Sequence, residues 1–128
     1  MTAAAVVAVG VGAAVGAWLR WALGIMLNPV FPTVPLGTLV ANVVGGYLVG
    51  IAVEYFTHHV GLSPEARLFV ITGFLGGLTT FSTFSAEVVA LLARTQYAWA
   101  TVLIGSHLAG SIVATVLGIL TMKALAHA

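Results

Sequence analysis

Residues Gly73-Phe74-Leu75-Gly76-Gly77-Leu78-Thr79-Thr80-Phe81-Ser82-Thr83-Phe84-Ser85 set glycines, hydroxyls and phenylalanines inside an otherwise apolar stretch. Glycine costs about 1 kcal/mol in a helix interior, and hydroxyls gain nothing by facing lipid. Irregular backbone at membrane depth is tolerated only where protein or a water-filled path surrounds it. The run therefore marks the working part of the molecule. Phe81 and Phe84, three apart, share a helix face. They serve either as packing or, through the positive edges of their rings, as weak electropositive contacts for an anion. Asn42 is the only amide within an apolar stretch, with Thr38 one turn before it. It is either glue between helices, worth about 0.6–2 kcal/mol, or a hydrogen-bond donor. His107, Ser111 and Thr115 recur every four residues and form one polar stripe. Such hydroxyls either bond back to the carbonyl four residues earlier or form a donor track; Thr79, Thr80, Ser82 and Thr83 could add further donors.

The elements that position these groups are membrane spans. The chain of 128 residues is 61% hydrophobic and 5% charged, with a mean hydropathy of +1.16. A soluble domain carries about 25% charged residues. Charges occur only at Arg20, Glu54, Glu65, Arg67, Glu87, Arg94 and Lys123. A spanning helix needs about 20 apolar residues, and four fit, at 4–27, 36–57, 65–93 and 98–125, in a single membrane domain covering 1–128. The loop from Asn28 to Pro35 is proline-rich, and Ser63-Pro64-Glu65 reads as a helix start, with a hydroxyl cap, a first-turn proline and an acid at the positive dipole end. The segment from Pro64 to Arg94 is long for one span, and an interruption around Gly76-Gly77 would split it into two half-helices. No basic region precedes the first apolar run, so no signal peptide is expected.

With four spans, Arg20 and Arg94 fall near one face of the membrane and Arg67 and Lys123 near the other. The positive-inside rule then gives no bias, so the chain can insert both ways unless a weak local signal fixes one orientation. Arg20, ending the first span, reads as snorkelling to the headgroups or as an attractor of anions into a vestibule. Glu87 reads as a paired or interfacial acid, with a gating or proton role as the alternative. No polybasic patch exists for nucleic acid, and nothing near His58 and His59 completes a metal site.

Gly76-Gly77-Leu78-Thr79-Thr80-Phe81-Ser82-Thr83-Phe84 resembles the signature of the small bacterial fluoride channels, the Fluc or CrcB family. Gly37-Thr38-Leu39-Val40-Ala41-Asn42, followed by Gly45 and Gly50, is similar to that family's second-helix motif. The resemblance covers nearly the whole chain. It implies an all-α membrane protein with four transmembrane helices, the third broken mid-membrane, assembled as an antiparallel, dual-topology homodimer in the inner membrane. It further implies a non-enzymatic fluoride channel that exports F⁻ passively and relieves fluoride toxicity. On this reading Phe81, Phe84, Asn42, Ser111, Thr115, Thr80 and Thr83 line the fluoride pathway. Arg20, Glu87 and His107 are vestibule or charge candidates. The backbone carbonyls of Gly76 and Thr79 would hold one structural Na⁺ that is not transported.

The residues suit such transport, because a small anion crosses only if donors replace lost water and still let it leave. Neutral amide, hydroxyl and ring-edge groups meet both needs better than a buried Lys or Arg. Two alternatives remain. A small multidrug antiporter needs an acid in its first helix, and residues 1–53 contain no Asp or Glu. A non-transporting membrane assembly protein would explain the small-residue packing, as at Gly46 and Gly50, but not the Gly-Thr-Phe run.

Overall fold

The computed structural model describes residues 1–128, all of them in helices or short connections. Helix α1 (Ala3–Leu27) starts where the Thr2 hydroxyl accepts from the Ala5 N–H at 3.0 Å. Helix α2 (Leu36–His58) follows a proline-rich turn and has Pro35 at its cap, which offers no side-chain acceptor. Asn28 supplies one from across the loop: its Oδ1 accepts from the Gly37 and Thr38 N–H groups at 2.8 and 3.3 Å. An asparagine that ends one helix thereby starts the next.

The third apolar segment is composite. Ser63 caps α3 (Pro64–Arg67) by accepting from the Ala66 N–H at 3.2 Å, as its sequence indicates. The backbone then widens into a π-helix over Leu68–Leu75 and returns to α-geometry in α4 (Gly76–Leu78). Thr79 and Thr80 are extended, with φ/ψ of −90°/153° and −152°/121°. Helix α5 (Phe81–Ala93) resumes behind Thr80, whose hydroxyl accepts from the Thr83 N–H at 3.2 Å. Gly76 and Gly77 are themselves helical, so the departure from helix falls just after them, on the threonines. Helix α6 (Tyr97–Ala126) completes the chain. Four stretches, Ala3–Val30, Leu36–His58, Pro64–Ala93 and Tyr97–Ala126, are long and apolar enough to cross a membrane.

The helices are joined by close backbone contact more than by a bulky core. Gly50 of α2 meets the Thr115 carbonyl of α6, and Gly118 of α6 meets the Tyr47 carbonyl of α2; a methyl group added at either would lie 2.1 Å from that oxygen. Gly12 and Gly16 bring α1 equally close to the backbone of Phe69, Gly73, Phe74 and Leu78. Only 20 residues are buried, and the hydrophobic ones gather mainly in two small clusters of five, around Phe84, Leu91 and Leu103 and around Phe56, Leu75 and Leu78. The subunit exposes 7366 Å², more than the roughly 6,400 Å² that a soluble monomer of its mass presents. Much of that excess is apolar, from Val6, Trp18 and Trp21 on α1 to Ile112 and Leu120 on α6.

Candidate functional site

The extended residues between α4 and α5 expose a peptide group that no helix satisfies. A buried N–H or C=O without a partner costs about 1–3 kcal/mol, and Asn42 removes that cost on both sides. Its Oδ1 accepts from the Thr80 N–H at 2.7 Å, and its Nδ2 donates to the Thr80 carbonyl at 2.9 Å. The amide side chain stands in for a neighbouring β-strand. Its orientation is therefore unambiguous, because a flipped amide would set donor against donor and acceptor against acceptor. The second Nδ2 hydrogen is directed at His107 Nδ1, 3.0 Å away. Asn42 thus binds two helices at once, and both its amide hydrogens are engaged within the subunit.

That geometry fixes the imidazole. Facing a donor, His107 Nδ1 must be the acceptor, so the neutral ring carries its proton on Nε2. Nε2 is buried and has no partner. The ring is 3% exposed and stacks on Phe84, with centroids 4.5 Å apart. Phe84 in turn meets Phe81 edge-on, with centroids 5.4 Å apart. The two phenylalanines share the face their spacing indicates, yet differ sharply in environment: Phe84 is 6% exposed and Phe81 71%. Phe81 projects outward beside Ser82 and Ser85 on a shallow open surface.

Two cavities flank the extended threonines. One, of about 300 Å³, is lined by Asn42, Phe81, Phe84, His107, Ser111 and Thr115, with Thr79 and Thr80. The other, of about 280 Å³, is lined by Arg20, Asn28, Thr38, Thr80 and Thr83 with apolar residues of α1. Thr80 borders both. The stripe on α6 divides by the fate of its protons. The Thr115 hydroxyl is spent on the carbonyls of Gly46 and Ser111, each at 2.9 Å. The Ser111 hydroxyl takes part in none of the subunit's hydrogen bonds and faces the first cavity. Thr83 accepts from the Thr80 hydroxyl at 3.2 Å and keeps its own proton free.

Arg20 and Glu87 have partners that their sequence positions do not indicate. Arg20 is half-buried, its Nε donates to the Gly77 carbonyl at 3.0 Å, and it lines the second cavity. An orphan carbonyl at the end of α4 thus draws the guanidinium inward. Glu87 pairs with no basic group. Its Oε2 accepts from the buried Thr38 hydroxyl at 2.7 Å, while Oε1 is buried without a partner. Both bonds join residues far apart in sequence, which no local spacing indicates. No group of three or more His, Cys, Asp or Glu side chains converges as a metal site. His58 instead contacts Glu54 at 2.8 Å, and His59 stacks on Tyr55.

Residues 7–119 match the family described as CrcB-like protein, camphor resistance (CrcB). The chain is 69% identical over 123 residues to a protein of Nitrosospira multiformis named fluoride-specific ion channel FluC, covering 96% of each. Proteins of the same name from Thiobacillus denitrificans and Nitrosomonas europaea are 60% and 56% identical, over 94% and 91% of this chain and 98% and 92% of theirs.

Proposed function

This chain belongs to the CrcB-like family, and on that premise we propose that it is a fluoride-selective channel, conducting F⁻ passively out of the cell across the inner membrane. The observation that carries the reading is the pair of cavities meeting at Thr80, the first walled by neutral donors and phenylalanine rings. A strongly hydrated anion gives up water only where donors replace it, and leaves only where no fixed charge holds it. Ser111, Phe81 and Phe84 offer such contacts in the first cavity, and Thr83 in the second. Arg20 gives the second cavity a positive wall, suited to collecting anions before they shed water. Asn42 contributes by trading one of its two amide bonds to the passing ion, or by holding Thr80 in place beside it. Purified protein in liposomes should release F⁻ far faster than Cl⁻, with neither ATP nor a proton gradient. Fluoride release no faster than from protein-free vesicles would sink the proposal. An acid-dependent antiporter is disfavoured by the acid-free stretch 1–53.

The working form on this reading is an antiparallel homodimer in which the third span is broken at membrane depth. The exposed Phe81 supports it: a ring 71% exposed becomes part of an enclosed path only against a second copy. The balanced basic residues support dual topology. Gly61, where an added Cβ meets nothing within 4 Å, is a suitable reporter in a chain without cysteine. Gly61→Cys should be labelled by membrane-impermeant thiol reagents from both sides, in roughly equal amounts. Labelling from one side only, in conducting protein, would contradict dual topology.

A structural Na⁺ fits the oxygen donors near the threonines. The last carbonyls of α4 lack helical partners, and hard cations prefer an all-oxygen shell. Gly76 lies on the outside of the subunit, where an added Cβ would meet only the Ile71 carbonyl at 3.7 Å, so a second copy can approach it. The carbonyls of Gly76 and Thr79 would hold the ion, which would supply positive charge that draws the facing carbonyl ends together.

A further inference from the structure

The Asn42–Thr80 pair has a third member whose protonation decides whether the pair can exist. We infer that His107 is a positioning residue: its bare Nδ1 holds Asn42 on the Thr80 peptide, and a proton on Nδ1 releases Asn42 and closes the pathway. The inference rests on the channel reading and specifies how that site is regulated.

The geometry leaves little choice. Thr80 dictates which end of the Asn42 amide is nitrogen, since its own N–H and C=O cannot exchange roles. The nitrogen therefore faces His107 at 3.0 Å, and a donor there requires an acceptor. Imidazolium has none, because both its nitrogens donate. Once His107 is protonated, two N–H groups confront each other across 3.0 Å, and Asn42 must turn away. Turning breaks both bonds to Thr80, whose peptide lies at the junction of the two cavities. The ring cannot simply swing aside, because it is 3% exposed and stacked on Phe84.

The surroundings offer the imidazolium no compensation. From α2 it meets the uncharged Asn42, and from α5 the ring of Phe84. Glu87 is the one acid on α5; its Oε2 takes the Thr38 hydroxyl, and its Oε1, without a partner, makes no bond to His107. Glu54 lies at the far end of α2, paired with His58. Arg94 at the end of α5, Lys123 in the last turn of α6 and Arg20, bound to Gly77, are all basic. No carboxylate is bonded to the imidazole to hold the added charge.

The test is electrical, since neutral hydrogen fluoride carries no current. Full-length protein in a planar bilayer should lose at least about tenfold of its fluoride current as both sides are acidified from about pH 7.5 through and below the ordinary histidine range, to about pH 4.5. His107→Asn places a permanent acceptor near the Nδ1 position and cannot protonate, so it should conduct with a flat pH profile. His107→Phe keeps the stacked ring but removes the acceptor, so it should conduct poorly at every pH. Independently of transport, ¹⁵N-histidine spectra should show His107 Nδ1 unprotonated and Nε2 protonated at neutral pH, assigned by loss of the signals in His107→Asn. An unchanged acid response in His107→Asn, full current in His107→Phe, or a protonated Nδ1 would each overturn the inference. Wild-type protein without fluoride current at neutral pH, but with the expected tautomer, would instead overturn the channel reading and leave the hydrogen-bond network standing.

Discussion

Asn42→Asp should bring fluoride current down to that of a protein-free bilayer. The substitution preserves size and replaces two amide hydrogens with an acceptor. One carboxylate oxygen can still accept from the Thr80 N–H, but the other faces the Thr80 carbonyl and His107 Nδ1, which present no hydrogen. Each buried acceptor left without a donor costs about 1–3 kcal/mol. If ionised, the side chain also opposes the permeant ion directly. Two like charges roughly 4 Å apart at an effective dielectric constant of about 20 repel by about 4 kcal/mol, or roughly a thousandfold in occupancy. Asn42→Leu separates the two effects, because it removes the bonds to Thr80 without adding charge. It should conduct weakly, and Asn42→Asp still less. Wild-type current in Asn42→Asp would mean that neither the ion nor the Thr80 peptide depends on this amide.

Gly118→Ala and Gly50→Ala should prevent the subunit from folding to a stable form, although each adds one methyl group. The oxygen that a Cβ would strike, 2.1 Å away in both cases, belongs to backbone rather than to a movable side chain. Relief is possible only if α2 and α6 separate along their whole length. Over-packing ordinarily costs about 1–3 kcal/mol when side chains can adjust; here the loss should exceed about 3 kcal/mol. Gly105→Ala is the control, since its Cβ meets nothing within 4 Å, and it should remain within about 0.5 kcal/mol of wild type. Thermal unfolding in detergent, followed by size-exclusion chromatography, reads all three. A Gly118→Ala protein as stable as the control would show that the two helices pack otherwise.

The four apolar helices were legible because nothing competes with the signal. Seven charges in the whole chain leave long uncharged runs, and prolines and glycines punctuate them. The cap at Ser63 was legible for a local reason: a hydroxyl, a proline and an acid in sequence describe a helix start without reference to anything else. The helix-helix contact at Gly46 and Gly50 was likewise visible as a small-residue spacing. What escaped is whatever depends on two distant segments meeting. Arg20 reads as an interfacial cation until the Gly77 carbonyl, 57 residues away, is brought beside it. Glu87 reads as an acid awaiting a base until Thr38 is found to be its partner. The π-helix over Leu68–Leu75 left no mark, because its sequence differs in no obvious way from that of an ordinary apolar helix. The polar stripe of α6 was readable as a stripe, but whether each hydroxyl still had a proton to offer depended on the carbonyls opposite.

The pairing of Asn42 with the Thr80 peptide bears on the order in which the protein is made. The third span is the least apolar of the four, and its extended threonines carry amide groups that lipid cannot satisfy. Their partner is supplied 38 residues earlier, on a helix that leaves the ribosome first. Arg20, which takes up the Gly77 carbonyl, emerges earlier still. Synthesis from the N-terminus thus delivers both receiving groups before the segment that needs them, and His107, which steadies Asn42, arrives last. The gene order of the helices doubles as an assembly schedule: the hardest segment to insert enters a membrane where its binding partners are already waiting.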